Sequence, residues 1–151
     1  MILVSSCLAG IECRYNGSHA ASQKIRRLIE ENKAMMACPE LLGGFTTPRE
    51  PAEIIGGTGE DVLSGKAKIF TASGEDVTDL YVEGAAKTLA YAEKIQASAV
   101  ILKENSPSCG SSFIYNGDFS GQKIAGNGVT SALLKQAGYR VISEHQLDDI
   151  M

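Results

Sequence analysis

The sequence predicts an α/β protein: an open, mostly parallel sheet flanked by helices, with a small β excursion over about 39–74. Three observations predict this class. Short apolar runs at Ile2–Ser5, Ala34–Ala37, Ala99–Leu102 and Arg140–Ile142 read as buried strands. Longer stretches with helical spacing lie between them, the pattern of parallel strands joined by right-handed crossovers. At 151 residues with no internal repeat, the chain is expected to form one domain, 1–151.

The elements follow in order. Ile2–Ser5 is the first strand, and Gly10–Ser18 is a polar loop containing Cys13, Arg14, Tyr15 and the turn pair Asn16-Gly17. Ser22 is a suitable N-cap for a helix to Asn32, with Ile25, Leu28 and Ile29 facing inward. Ala34–Ala37 is the second strand, its Met35 and Met36 read as adaptable core fillers. Prolines and glycines then cut the chain into Glu53–Ile55, Val62–Ser64 and Lys68–Thr71, read as a β excursion covering one edge of a site. Gly56-Gly-Thr-Gly59 lacks the Gly-Lys-Ser/Thr ending of a phosphate loop. Asp76 can cap a helix running to about Ile95, striped by Tyr81, Ala85, Leu89 and Ala92. Gly84 within it is unfavourable for a helix unless another element packs closely there. After Ala99–Leu102 come a short strand at Phe113–Tyr115, the turn Asn116-Gly117, a helix over Gly128–Gln136 and the strand Arg140–Ile142. Ser143-x-x-Gln146 has the form of a capping box for a final helix.

Composition excludes several functions. A net charge of −4 does not suit a broad nucleic-acid surface, and Lys24, Arg26 and Arg27 read as a solvated helix face. No apolar run approaches the ~20 residues that span a bilayer. Val4-Ser-Ser-Cys7 lacks the basic and apolar segments of a signal peptide, so a cytoplasmic protein with reduced thiols is expected.

The cysteines carry the functional signal. Cys7, Cys38 and Cys109 each follow an expected strand, and ligands of open parallel sheets gather outside the carboxyl ends of strands. There is no C-x-x-C, so neither a zinc ribbon nor a thioredoxin-type pair is indicated. His19 and His145 are isolated and are expected to be exposed or capping. Thiolates with few histidines select zinc or iron–sulfur clusters. Four cysteines would close such a site, whereas three would leave one iron of a [4Fe–4S] cluster open; spacing does not choose between them. Glu40 beside Cys38, and Lys103, Ser106 and Ser108 near Cys109, add groups suited to proton chemistry. Blander readings exist for each: a cysteine as a small hydrophobe, Glu40 as a cap or salt bridge, the serines as loop-amide acceptors.

Taken together, Ser6-Cys-Leu-Ala-Gly10, Cys13-Arg-Tyr-Asn-Gly17, Cys38-Pro-Glu40, Pro48-Arg-Glu-Pro51 and Leu102-Lys-x-x-Ser-Pro-Ser-Cys-Gly110 resemble a bacterial family, first known as a domain of unknown function, that includes 2-thiouracil desulfidases. The resemblance spans essentially the whole chain. It implies a [4Fe–4S] cluster held by Cys7, Cys38 and Cys109, with Cys13 outside that ligand set as a second thiol, sulfur relay or spare ligand. It further implies Glu40 and Ser106 as the acid/base pair, helped by Lys103, in a non-redox desulfuration of a small thiolated pyrimidine with release of sulfide. Asn16 stands where Asp is frequent, and Glu50 interrupts a more proline-rich segment; both bear on substrate preference. Two rival classes are a non-catalytic zinc or cluster-binding module and a metal-free thiol enzyme.

Overall fold

A four-stranded parallel sheet, in the order β2 (Ala34–Ala37), β1 (Ile2–Ser5), β5 (Ala99–Leu102), β8 (Val141–Ser143), forms the centre of the molecule. The structure is a computed structural model that describes residues 1–11 and 22–149. The expectations for Cys13, Arg14, Tyr15, Asn16-Gly17 and His19 lie outside the described residues.

β1 (Ile2–Ser5) pairs with β2 (Ala34–Ala37) on one side and β5 (Ala99–Leu102) on the other, and β8 (Val141–Ser143) pairs with β5. The two-residue period of a strand divides their side chains between the faces. Val4, Ile101 and Ile142 pack with Ile25 and Leu28 of α1 (Gln23–Glu30). Leu3, Val100, Leu102 and Val141 face the other way, toward Ala92 of α4 (Thr78–Lys94) and Leu134 of α5 (Val129–Gln136). One expectation fails here: Met35 and Met36 are 39% and 41% exposed. They are not core fillers, because β2 is an edge strand with less cover on both faces.

The excursion is mixed. β3 (Ala52–Ile55) and β4 (Lys68–Thr71) form an antiparallel pair, but α3 (Gly59–Leu63) stands between them. Val62–Ser64 is thus not a strand piece. Thr58 and Asp61 build a capping box, with the Thr58 amide donating to Asp61 Oδ2 at 2.9 Å, and local capping overrides the β preference of Val62. Ala52, Ile54, Val62 and Ile69 form a second apolar cluster with Tyr81, Ala85, Ile114 and Val129.

Asp76 acts as expected at the start of α4, accepting from the Thr78 amide at 3.0 Å and its hydroxyl at 2.6 Å. Gly84 does mark a close approach: a Cβ there would collide with the carbonyl oxygen of Pro39 in α2 (Pro39–Leu42). β6 (Phe113–Tyr115) pairs with β7 (Lys123–Ala125), a strand the sequence did not suggest because all three of its residues are exposed. After β8 the Ser143 amide donates to Gln146 Oε1 and the His145 amide to Ser143 Oγ. This tighter exchange opens a 3-10 segment, Glu144–Asp149, and not an α-helix.

Candidate active site

Parallel pairing brings the carboxyl ends of β1, β2 and β5 to one rim. Cys7 lies in a 3-10 turn, Ser6–Ala9, directly after β1. Cys38 is the N-cap of α2, directly after β2. Cys109 lies in the loop that leaves β5. The three cysteines, none in a disulfide, border one small cavity with Glu40, Arg49, Lys103 and Ser106. Among the described residues no three His, Cys, Asp or Glu side chains gather tightly enough to hold a single metal ion. The three sulfurs share the lining of one cavity, and thiolates with few histidines suit zinc or an iron–sulfur cluster.

Cys109 is buried, and burial pushes its thiol well above the usual range, with the negative Glu40 and Cys38 adding to the shift. A neutral thiol is a poor nucleophile, so Cys109 does not suit the reactive cysteine of a metal-free thiol enzyme. Bound metal favours the thiolate and makes such a buried sulfur a ligand. The donor set therefore fits an iron–sulfur cluster.

The loop carrying Ser106 and Cys109 is built around Glu104, which is 5% exposed. Its Oε1 accepts from the amides of Ser111, Ser112 and Phe113 at 2.8, 3.0 and 3.1 Å. Burial pushes its pKa up, but four backbone amides together outweigh it and hold the carboxyl below its usual range. Ser106 Oγ accepts from the amides of Ser108 and Cys109 at 3.2 and 2.6 Å. A hydroxyl has two lone pairs and one proton, so Ser106 is left as a donor. Ser108 shares a 2.7 Å hydrogen bond with Thr130 in the interior, and its side chain also hydrogen-bonds Cys109.

Glu40 occupies the first turn of α2, which Pro39 starts. Its Oε2 accepts from Arg49 Nη2 at 2.8 Å, Arg49 Nε at 3.1 Å and the Tyr81 hydroxyl at 3.2 Å. Its Oε1 has no hydrogen bond among the described residues. Arg49 follows the cis Thr47–Pro48 bond and lies over the Phe45 ring, 5.8 Å from its centroid. Burial would lower the Arg49 pKa, but Glu40 outweighs it and raises the value. Burial and the Glu40 charge push the Tyr81 hydroxyl well up, so it stays a donor. Lys103 Nζ pairs with Glu144 Oε2 at 2.9 Å.

A second, larger cavity of about 370 Å³ abuts the first. Glu53 and Tyr81 help line it, with Tyr115 and Phe119 from the β6–β7 hairpin. Glu40, Lys103 and Ser106 border both cavities. The model of the 2-thiouracil desulfurase family matches residues 2–146. The chain belongs to that family.

Relatives of this desulfurase-family chain agree with the match. It is 83% identical over 151 residues to the uncharacterized protein YbbK of Bacillus subtilis (strain 168), covering 100% of both chains. It is also similar to a solved structure of TudS, described as a [4Fe-4S]-dependent thiouracil desulfidase. That likeness has a TM-score of 0.87 and 42% identity, covering 99% of this chain and 93% of the other.

Within this desulfurase-family fold, Cys7, Cys38, Cys109, Glu40, Ser106 and Lys103 come together, and Cys13 lies outside the described residues. His145 is exposed, as expected. Sequence reasoning missed Arg49 and Tyr81. Tyr81 looked like one more residue of an apolar stripe, and its hydroxyl partner lies on another helix. A cation held between Pro48 and Pro51 was the available signal for Arg49.

Proposed function

We propose that the chain acts as a single domain, 1–151, that cleaves the C–S bond of a thiolated pyrimidine such as 2-thiouracil by hydrolysis, without net electron transfer. The supporting observation is the shared wall: Glu40, Lys103 and Ser106 separate a cavity of cysteines from a cavity of about 370 Å³. A planar base in the larger cavity has its thione directed at the cysteines and the reacting carbon beside the wall. Tyr115 and Phe119 supply aromatic surface for the ring.

A [4Fe–4S] cluster held by Cys7, Cys38 and Cys109 supplies, when bound, a Lewis-acidic iron with an open position for the thione sulfur. Every other part comes from side chains. Glu40 takes a proton from water through its open Oε1, and the water oxygen attacks the carbon bearing sulfur. Arg49 and Tyr81 hold the other oxygen, so they orient Glu40. Ser106 donates its proton toward the departing sulfur or ring nitrogen and regains one from the proton that Glu40 took from water. Lys103, turned toward Glu144, adds positive charge at the wall. The balance is thione plus water giving the oxo base plus hydrogen sulfide. The thiols need a reducing setting, consistent with the cytoplasm. No helix among the described residues is long and apolar enough to cross a membrane, and a small molecule, not a nucleic acid, is the partner proposed.

Anaerobic reconstitution tests the reading. The brown protein should contain iron and acid-labile sulfide and release hydrogen sulfide from 2-thiouracil. Cys7→Ser, Cys38→Ser and Cys109→Ser should each lose the cluster and all activity, whereas Cys13→Ser should keep both. A colourless zinc protein with no sulfide release would refute it.

A further inference from the structure

We propose that Glu53 is a substrate-binding residue whose outer carboxylate oxygen accepts a hydrogen bond from an N–H or O–H donor of the substrate; this rests on the desulfidase reading above. Glu53 sits on β3 between Ala52 and Ile54, which pack into the second apolar cluster. It is only 7% exposed. A glutamate so deeply placed normally has a cation beside it. Glu53 forms no ion pair among the described residues.

Its two oxygens differ. Oε1 accepts from the Gly117 amide at 2.9 Å and the Phe119 amide at 3.2 Å, fixing a turn in which Phe119 has a φ of 54°. Oε2 has no hydrogen bond among the described residues, and no sealed side-chain oxygen there lacks a partner. Oε2 therefore keeps accessible surface, and Glu53 helps line the larger cavity. Holding the turn needs one acceptor, which an amide could provide. A second, accessible acceptor on a residue that lines the cavity can exchange water for an N–H or O–H donor of the substrate. Ring N–H groups of a pyrimidine and hydroxyls of an attached sugar are the donors such a substrate offers.

Glu53→Gln separates the two roles. Its carbonyl oxygen can keep the turn while its NH₂ replaces the acceptor facing the cavity. The readout is calorimetric binding of uracil and uridine, the oxo products, to the cluster-loaded enzyme, alongside 2-thiouracil kinetics. The variant should keep iron content and melting temperature, and bind one or both products about ten- to hundredfold more weakly. KM should rise with kcat within about threefold of wild type. Weakened uracil binding assigns the donor to the ring; a loss confined to uridine assigns it to the sugar. Unchanged affinity for both overturns the proposal and leaves the desulfidase reading standing. A wild type that releases no sulfide sinks that reading, while the product titrations still decide the role of Glu53. Should the variant fold poorly, wild-type affinities for 1-methyluracil, 3-methyluracil, 2′,3′-dideoxyuridine and 5′-deoxyuridine remove the donors in turn. Equal affinities across that series also overturn the proposal.

Discussion

Glu40 borders both cavities and Glu104 only the larger one, and the surroundings of these two carboxylates differ in kind. Around Glu104 the protein fills both oxygens: Oε1 collects backbone amides and Oε2 takes the Ser111 hydroxyl at 3.3 Å. Around Glu40 it fills one: Arg49 and Tyr81 crowd Oε2, and Oε1 is left toward the cavity. A saturated acid has no capacity for a substrate and serves as scaffold. A half-satisfied acid is fixed in place yet retains an acceptor, as a general base requires.

The contrast predicts that changes at Glu40 alter chemistry and changes at Glu104 alter stability. The largest effect belongs to Glu40→Gln. It should retain iron and acid-labile sulfide yet lower kcat for sulfide release by about 10²–10⁴. An active variant would remove Glu40 from the mechanism. Arg49→Lys comes next. Lysine keeps the charge but not the two-pronged contact, so kcat should fall about tenfold with cluster content unchanged. Arg49→Ala should lower kcat further than Arg49→Lys, because it removes every contact to Glu40 Oε2 from this position. Unchanged kcat in both variants would make Arg49 a packing residue only.

Glu104→Gln should show the smallest change in turnover and a clear change in stability. At pH 7 it should cost about 1–3 kcal/mol in denaturant unfolding of the cluster-free protein. The sign follows from the depressed pKa of Glu104 in the folded protein. Its contribution is complete above about pH 4.3, the usual glutamate value, and is lost as pH falls through the lower folded one. The gap between wild type and variant should therefore close in acid. A gap independent of pH would mean that shape, not charge, matters at this position.

Much of this division could be read in the chain before any coordinates. The apolar runs marked β1, β2, β5 and β8 because strands buried in a parallel sheet need no polar face. The three cysteines were legible because each directly follows such a run or lies in the loop after one. Glu40, Lys103 and Ser106 were legible as their polar neighbours. Capping decided α3, where the Thr58–Asp61 exchange turned a stretch that looked extended into a helix. Edge position decided Met35 and Met36, since burial depends on what covers a strand and not on the strand's own residues.

The sequence by itself determined the parallel sheet, the positions of the thiols along it and the resemblance that implies their cluster. These are local facts, written in hydrophobic period and in residues adjacent along the chain. Only the tertiary structure decided that Arg49 and Tyr81 grip one oxygen of Glu40, that Glu104 is saturated and that Glu53 keeps an oxygen free. The reason is physical: a carboxylate's role depends on how many donors reach it, and those donors lie as far as 66 residues away in the chain.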